Sequence, residues 1–185
     1  MEEREEYAWV IDFLPFGKSD QKTQEILVQL IGEKYFMLLE AVARPNVKLN
    51  FGQRVYIGKN QRNEIEKVKR KISYGELTAT AKAELPSTLR KIVEFKEKEF
   101  VNFYNKAGPL SIRLHQLEFL QGIGKKHLTQ ILEEREKKLF ESYADIKNRI
   151  NFLPDPVNMI VQRILSEIEG KEKNYLFVKP QQKNL

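Results

Sequence analysis

The chain contains no cysteine, which excludes disulfides, thiolate zinc sites, iron–sulfur clusters and a cysteine nucleophile. Histidine is nearly missing too: His115 and His127 are the only imidazoles, thin material for a metal centre. No apolar run approaches the 18 residues of a membrane span, and the start, Met1 to Glu6, is acidic, unlike a secretory signal. A cytoplasmic protein is the expectation, with no cofactor and no metal. Internal repeats and low-complexity segments are also lacking. What remains is a globular composition, 41% hydrophobic and 31% charged over 185 residues, enough for one large domain or two small ones.

Charge is unevenly spread. The formal net charge is +6, yet residues 53–75 alone carry +5 while residues 1–52 are net −3. Concentrated basic charge makes a local positive field even on a nearly neutral protein.

The first half reads as β-structure. Tyr7–Leu14 is aromatic and β-branched and is closed by Pro15, the pattern of a strand buried on both faces. After a polar loop over 15–24, Glu25–Ile31 and Lys34–Val42 read as two strands joined at Gly32-Glu33, a Gly-X pair of the type II′ hairpin. Gln53–Ile57 and Glu64–Tyr74 supply a fourth and fifth strand. Five short strands followed by helices predict an OB-like Greek-key barrel. With period 2, Lys67, Lys69 and Lys71 fall on one side of the fifth strand, and Arg54 and Tyr56 face outward from the fourth. Such a face joins phosphate-binding charge to an aromatic able to stack on a base. Lysines that block edge-to-edge aggregation would look the same in sequence.

The second half reads as helical. A helix begins at Pro86 or Ser87 and runs to about Asn105, with Leu89, Ile92, Val93, Phe100 and Phe103 on its apolar face. Ser142-x-x-Asp145 reads as a capping box, and Asp155-Pro156 opens a last helix ending at Gly170. Residues 171–185 form a polar tail, with Tyr175–Val178 as a further edge strand. Between these lies Leu117-Glu118-Phe119-Leu120-Gln121-Gly122-Ile123-Gly124-Lys125-Lys126, followed by Leu128, Ile131 and Leu132. Apolar residues keep helical spacing on both sides of the two glycines, so two helices must turn sharply there, with Ser111 capping the first and Ile123 plugging the wedge. The second helix would start near Lys125 with its free N–H groups pointing outward, an anion site for which a nucleic-acid phosphate is the expected ligand.

Leu-x-x-Leu-x-Gly-Ile-Gly before an amphipathic helix resembles the helix-hairpin-helix motif, which grips phosphates without reading sequence. The resemblance assigns the phosphate contacts to Gly122, Gly124, Lys125 and Lys126; Gln121 stands where many such hairpins have proline. Over nearly its full length the chain also resembles the uncharacterised, mostly archaeal family called domain of unknown function 655, which carries a provisional label of nucleotide- or RNA-binding. Tyr7–Pro15, Gly52–Lys59, the Gly-Ile-Gly-Lys-Lys hairpin and Leu153–Pro156 carry that resemblance. It implies an OB-like domain joined to a helix-hairpin-helix domain, and no reaction.

The sequence therefore predicts an α+β protein. An OB-like β-barrel covers 1–78, a connecting helix 79–108, an all-α helix-hairpin-helix domain 109–170 and a tail 171–185. The expected function is non-catalytic nucleic-acid binding, RNA favoured over DNA, through Gly122, Ile123, Gly124, Lys125 and Lys126 and through Arg54, Tyr56, Lys67, Lys69 and Lys71. The alternatives are a nucleic-acid-processing enzyme, with Asp145 or Asp12 as the carboxylate to examine, and a protein-interaction scaffold.

Overall fold

A computed structural model describes residues 3–15 and 25–180, so most of the loop expected over 15–24 lies outside the described residues. The fold is mixed α+β. Among the described residues the strands are β1 (Tyr7–Leu14), β2 (Leu27–Gly32), β3 (Leu38–Ala43), β4 (Arg54–Tyr56) and β5 (Ile65–Lys71), followed by the short pair β6 (Pro109–Ser111) and β7 (Leu114–His115). The helices are α1 (Ala79–Phe95), α2 (Glu97–Lys106), α3 (Lys125–Lys137), α4 (Tyr143–Arg149) and α5 (Pro156–Ile168). By packing, the chain divides into one unit of residues 1–88 with 167–185 and a second of residues 89–166.

In the first unit five strands form one antiparallel sheet in the order β4-β1-β2-β3-β5. It curls into a half-barrel around Ala8, Val10, Val28, Leu30, Ala41 and Val55. The other side of β1 and β2 is covered too: Trp9, Ile11, Leu27 and Ile31 are buried. Two covered faces explain why Tyr7–Leu14 is an apolar run rather than an alternation.

Of the OB-like barrel expected from sequence the structure has the curled five-stranded sheet, left open because no ladder joins β4 to β5. The pairings give the reason. β1 and β3 are both antiparallel to β2, so the outer strands β4 and β5 run the same way. Adjacent parallel strands need a crossover of about a dozen residues or more, and only residues 57–64 connect these two. The sheet stays open at that seam.

Gly32 was expected in a two-residue turn, but it pairs with Ala8 inside β2, and the turn is residues 33–37. Glu5 explains the longer loop. Its carboxylate accepts from the backbone N–H groups of Lys34 (2.9 Å), Tyr35 (2.8 Å) and Met37 (3.2 Å). A Cβ on Gly32 would lie 2.1 Å from that carboxyl carbon, so glycine is required by close approach rather than by the turn. Phe36 takes φ 55° within the loop.

The expected tail strand is likewise absent from 171–180. There Leu176, Phe177 and Val178 donate their N–H groups to the buried Glu167 carboxylate at 2.6, 3.1 and 2.8 Å. Each such N–H, sealed from water without an acceptor, would cost ~1–3 kcal/mol.

The helix expected to start at Pro86 begins at Ala79 and keeps Pro86 inside it. Thr78 is the reason: its hydroxyl accepts from Ala81 N–H (3.0 Å), a first-turn cap, and donates to Asp12 Oδ2. Gln29, paired with Asp12 across the β1–β2 ladder, accepts Thr78 N–H (3.0 Å) and donates to Glu76 O (3.2 Å). Asp12, the oddly placed carboxylate of the first strand, therefore docks a helix start. A break at Lys96 divides the single expected helix into α1 and α2, and the buried stripe of α2 becomes Phe100, Val101 and Tyr104, leaving Phe103 half-buried.

The second unit packs around Leu117, Leu120, Ile131, Ile146, Ile160 and Ile164, all fully buried. Tyr104 Oη donates to Pro156 O (2.8 Å), Tyr143 Oη to Val93 O (2.7 Å), and Arg135 to the Tyr104 and Ala107 carbonyls at the end of α2 (3.1 and 2.8 Å). Arg135 is thus a C-terminal cap of α2. Pro156 opens α5 as expected, with Asp155 Oδ1 accepting Val157 N–H (3.1 Å).

Glu76 gives a pH test of the first unit. It accepts from Ser73 N–H (2.8 Å) and then from Arg70 Nη1 (2.6 Å), which together pull its carboxyl down to about 2. A depressed carboxylate stabilises the fold above its ordinary value near 4.5, and that contribution is lost as pH falls through about 2. Glu76→Gln should therefore lower Tm at pH 7, with the gap to the parent closing between pH 4.5 and 2 in thermal melts.

Candidate nucleic-acid interface

The segment ahead of the Gly-Ile-Gly turn is not the helix expected. Its place is taken by the β6–β7 pair and a single 3-10 turn over Gln116–Phe119. Pro109 and the β-pairing of Ser111 with Leu114 draw residues 109–115 into a hairpin, so Ser111 caps nothing helical. His115 caps the 3-10 turn instead: its Nδ1 accepts Leu117 N–H (3.1 Å), while Glu118 accepts His115 N–H (2.8 Å). Burial pushes the His115 imidazole below its ordinary value, consistent with an unprotonated Nδ1 acting as acceptor.

The turn itself uses its two glycines differently. Gly122 has φ +102°, and an added Cβ would come within 2.9 Å of Pro154 Cγ, so both backbone and space require glycine. Gly124 is the residue before α3, with φ −95° and ψ −171°, a backbone any residue adopts, and nothing lies within 4 Å of an added Cβ. The fold needs glycine at 122 and is indifferent to it at 124. Ile123 is buried and plugs the turn as expected.

No side chain caps α3. Lys125 does not point freely outward: its Nζ is 2.6 Å from Glu118 Oε1 and donates at 3.4 Å to Arg113 O. That ammonium, with the His115 N–H, holds the Glu118 carboxyl below its usual range. Lys126 is exposed and has no partner among the described residues. His127, which sequence reasoning left without a role, faces two carbonyls, Gly122 O from Nδ1 (3.0 Å) and Asn151 O from Nε2 (3.2 Å). Carbonyls only accept, so a neutral ring can serve one of them and the doubly protonated ring both. The ring ties the turn to the loop after α4, whose Phe152 is 99% exposed with φ 58°. No sequence pattern marks Phe152, an isolated aromatic in a short connection.

The expected basic β-face is not a single face. Two bulges interrupt the pairing of β5 with β3, one between Glu40 and Ala41 and one between Val42 and Ala43. Lys67 and Arg70 stand opposite Val42 and Glu40, whereas Val68 and Lys71 stand opposite Ala41 and Leu39, on the other side. Lys69 lies at a bulge. Lys67 and Lys69 nonetheless converge on one carboxylate, Glu25, at 3.0 and 2.9 Å. The bonds from Lys69 and Lys67 hold the Glu25 carboxyl below its ordinary value. Arg70 is engaged by Glu76 and Glu40, and Lys71 has no partner among the described residues.

Arg54 and Tyr56 stand on β4, at the opposite end of the strand order from β5. Arg54 makes a two-pronged pair with Glu33 (2.7 and 2.8 Å) and lies 3.6 Å from the Tyr7 ring centroid. The Tyr56 ring packs edge-on against Tyr7, and its hydroxyl accepts Asn60 N–H (3.1 Å). Both are occupied structurally. A cavity of about 390 Å³ at the open seam is lined by Leu39, Ile57 and Val68 together with Arg62, Lys67 and Lys71, and not by Arg54 or Tyr56.

The carboxylates of the enzyme alternative also have partners. Asp145 accepts Glu141 N–H (3.0 Å) and pairs with Arg149 (3.1 Å), while its own N–H donates to Ser142 Oγ (2.9 Å). Among the described residues no three His, Asp or Glu side chains gather as metal ligands, and no helix is long and apolar enough to cross a membrane.

Residues 4–179 match the family described as protein of unknown function DUF655. The chain belongs to that family. A curated relative, the uncharacterized protein MJ0038 of Methanocaldococcus jannaschii, is 47% identical over 177 residues, covering 95% of this chain and 80% of the relative. The crystal structure of the DUF655 protein Af1531 from Archaeoglobus fulgidus superposes with a TM-score of 0.87 at 42% identity, covering 95% of this chain and all of that one.

The two glycines of this DUF655 chain differ in what the fold requires of them, and one experiment measures the difference. Gly122→Ser should destabilise by about 1–3 kcal/mol, through its left-handed backbone and the Pro154 contact. Gly124→Ser should change stability by less than about 0.5 kcal/mol, because serine is at least as good an N-terminal cap. Denaturant midpoints of the two variants measure the contrast.

Proposed function

We propose that this protein is a non-catalytic nucleic-acid-binding protein, RNA favoured over DNA, that holds phosphate backbone at Gly122–Lys126. The observation carrying this reading is Gly124. A helix start gains only about a few tenths of a kcal/mol from serine or aspartate over glycine, and those residues would fit here. A glycine that neither backbone nor packing demands leaves the N–H groups opening α3 approachable by an anion, with Lys126, which has no partner among the described residues, beside them. The helix-hairpin-helix likeness supports the same reading at the turn and in α3, although its first helix is here one 3-10 turn. On the sheet, the OB-like reading rests on the strand order and on Lys71, Arg62 and the Lys67–Lys69 pair around the open seam. Backbone charge would enter there only by displacing Glu25 from its two lysines. RNA is placed ahead of DNA because a curled sheet with a basic edge suits splayed single strands.

A protein-interaction scaffold is the second reading. It is favoured by the half-exposed Phe95 and Leu139, which line a groove of about 890 Å³ together with Val101 and Phe140.

Fluorescence-anisotropy titrations against single-stranded RNA and DNA at several salt concentrations test the proposal. The parent should bind with affinity falling as salt rises. Lys126→Ala should flatten the slope of log affinity against log salt by about 0.7, the value for one phosphate on a single strand. Lys125→Ala should flatten it less, since Glu118 already offsets that charge. A parent that binds neither polymer at low salt would sink the reading.

A further inference from the structure

One side chain near the Gly-Ile-Gly turn has no employment within the described chain. Phe152 exposes 99% of its surface and holds φ 58°, a backbone that glycine or asparagine adopts at lower cost than a bulky residue. Its loop is nevertheless firmly placed. Asn151 O lies 3.2 Å from His127 Nε2, Leu153 is buried, and Lys147 Nζ donates to Leu153 O at 2.6 Å. Pro154 then packs where a Cβ of Gly122 would be. The ring is thus presented by a segment fixed on both sides against the turn and the first turn of α3.

The surroundings decide what such a ring could meet. Asn151 and Pro154 beside it are exposed, and the neighbouring helix start offers Lys125 and Lys126. A protein-docking hot spot is a cluster of apolar side chains ringed by polar ones. Here a single flat π-face stands on a loop tied through His127 to a helix start that carries two lysines, and stacking for a base with positive charge for its phosphate is the combination with which proteins hold unpaired bases. Paired bases inside a duplex present no free face to it.

We infer that Phe152 is a stacking platform for an unpaired nucleobase of the strand whose phosphate lies at Gly124–Lys126. The inference rests on the binding function proposed above and adds to it a preference for single-stranded or looped segments. Ile112, at the tip of the β6–β7 hairpin and 106% exposed, is an equally exposed apolar side chain without an aromatic face, and serves as the control.

The test compares the full-length parent with Phe152→Asn, Phe152→Trp and Ile112→Ser. Each is titrated against a fluorescent single-stranded RNA and against a blunt duplex of the same sequence. Phe152→Asn should fold at least as well as the parent, because asparagine suits the left-handed backbone. It should lose about 5- to 150-fold in single-strand affinity with an unchanged salt slope, and nothing on the duplex. Phe152→Trp should retain parental affinity, and Ile112→Ser should bind like the parent. Single-strand binding by Phe152→Asn equal to the parent's overturns the platform while leaving the phosphate site standing. Equal losses in Phe152→Asn and Ile112→Ser overturn it as well, since an unspecific apolar contact would then account for both. A parent that binds neither probe removes the underlying function itself.

Discussion

A carboxylate taken out of water must be surrounded by donors, and in this protein that demand shapes segments that have no secondary structure of their own. Glu5 gathers three backbone N–H groups from the loop between β2 and β3, and Glu167 gathers three from residues 176–178. In each case the donors would otherwise be stranded where a ladder is missing. Loop and carboxylate therefore specify one another: without the acid the loop has nowhere to send its N–H groups, and without the loop the acid could not be buried. Asp12 and Gln29 extend the same logic to a helix start, holding Thr78 where it caps α1. The sheet is the scaffold, but these polar clasps fix what leaves it and where.

This is also where the sequence stops being legible. Strands β1, β4 and β5 and helix α5 are visible in composition and period, because apolar patterning reports which faces are covered. The β2–β3 turn is not, since Gly32-Glu33 fits a tight hairpin by local chemistry and only the distant Glu5 makes a longer loop cheaper. The start of α1 is hidden in the same way. Pro86 is a strong local marker of a helix beginning, and it is overruled by a threonine that owes its position to residues in β1 and β2. Bulges are worse still, for they are invisible to a period of 2, and two of them turn a row of lysines into side chains on both sides of a strand.

At the Gly-Ile-Gly turn sequence reasoning offers one explanation for both glycines where the structure needs two. Gly122 is a folding residue, fixed by its positive φ and by Pro154. Gly124 is not, and no local pattern in the sequence separates the two. The partners of the turn were out of reach of sequence reasoning. His127 reaches a carbonyl 24 residues away, and through that contact the turn acquires the loop bearing Phe152.

A charge count along a sequence does not show which charges are already paired. Residues 53–75 hold most of the net charge, yet Arg54 is spent on Glu33, Arg70 on Glu76 and Glu40, and Lys67 and Lys69 on Glu25. Salt-bridged lysines on an outer strand broken by bulges are also what a sheet uses to discourage edge pairing. A phosphate arriving there must compete with carboxylates already in place. By contrast residues 111–169 sum to zero, yet they present Lys126, with no counter-charge among the described residues, beside a helix start that no side chain caps. What an anion would meet is the charge left over after internal pairing, which a sum along the chain does not show.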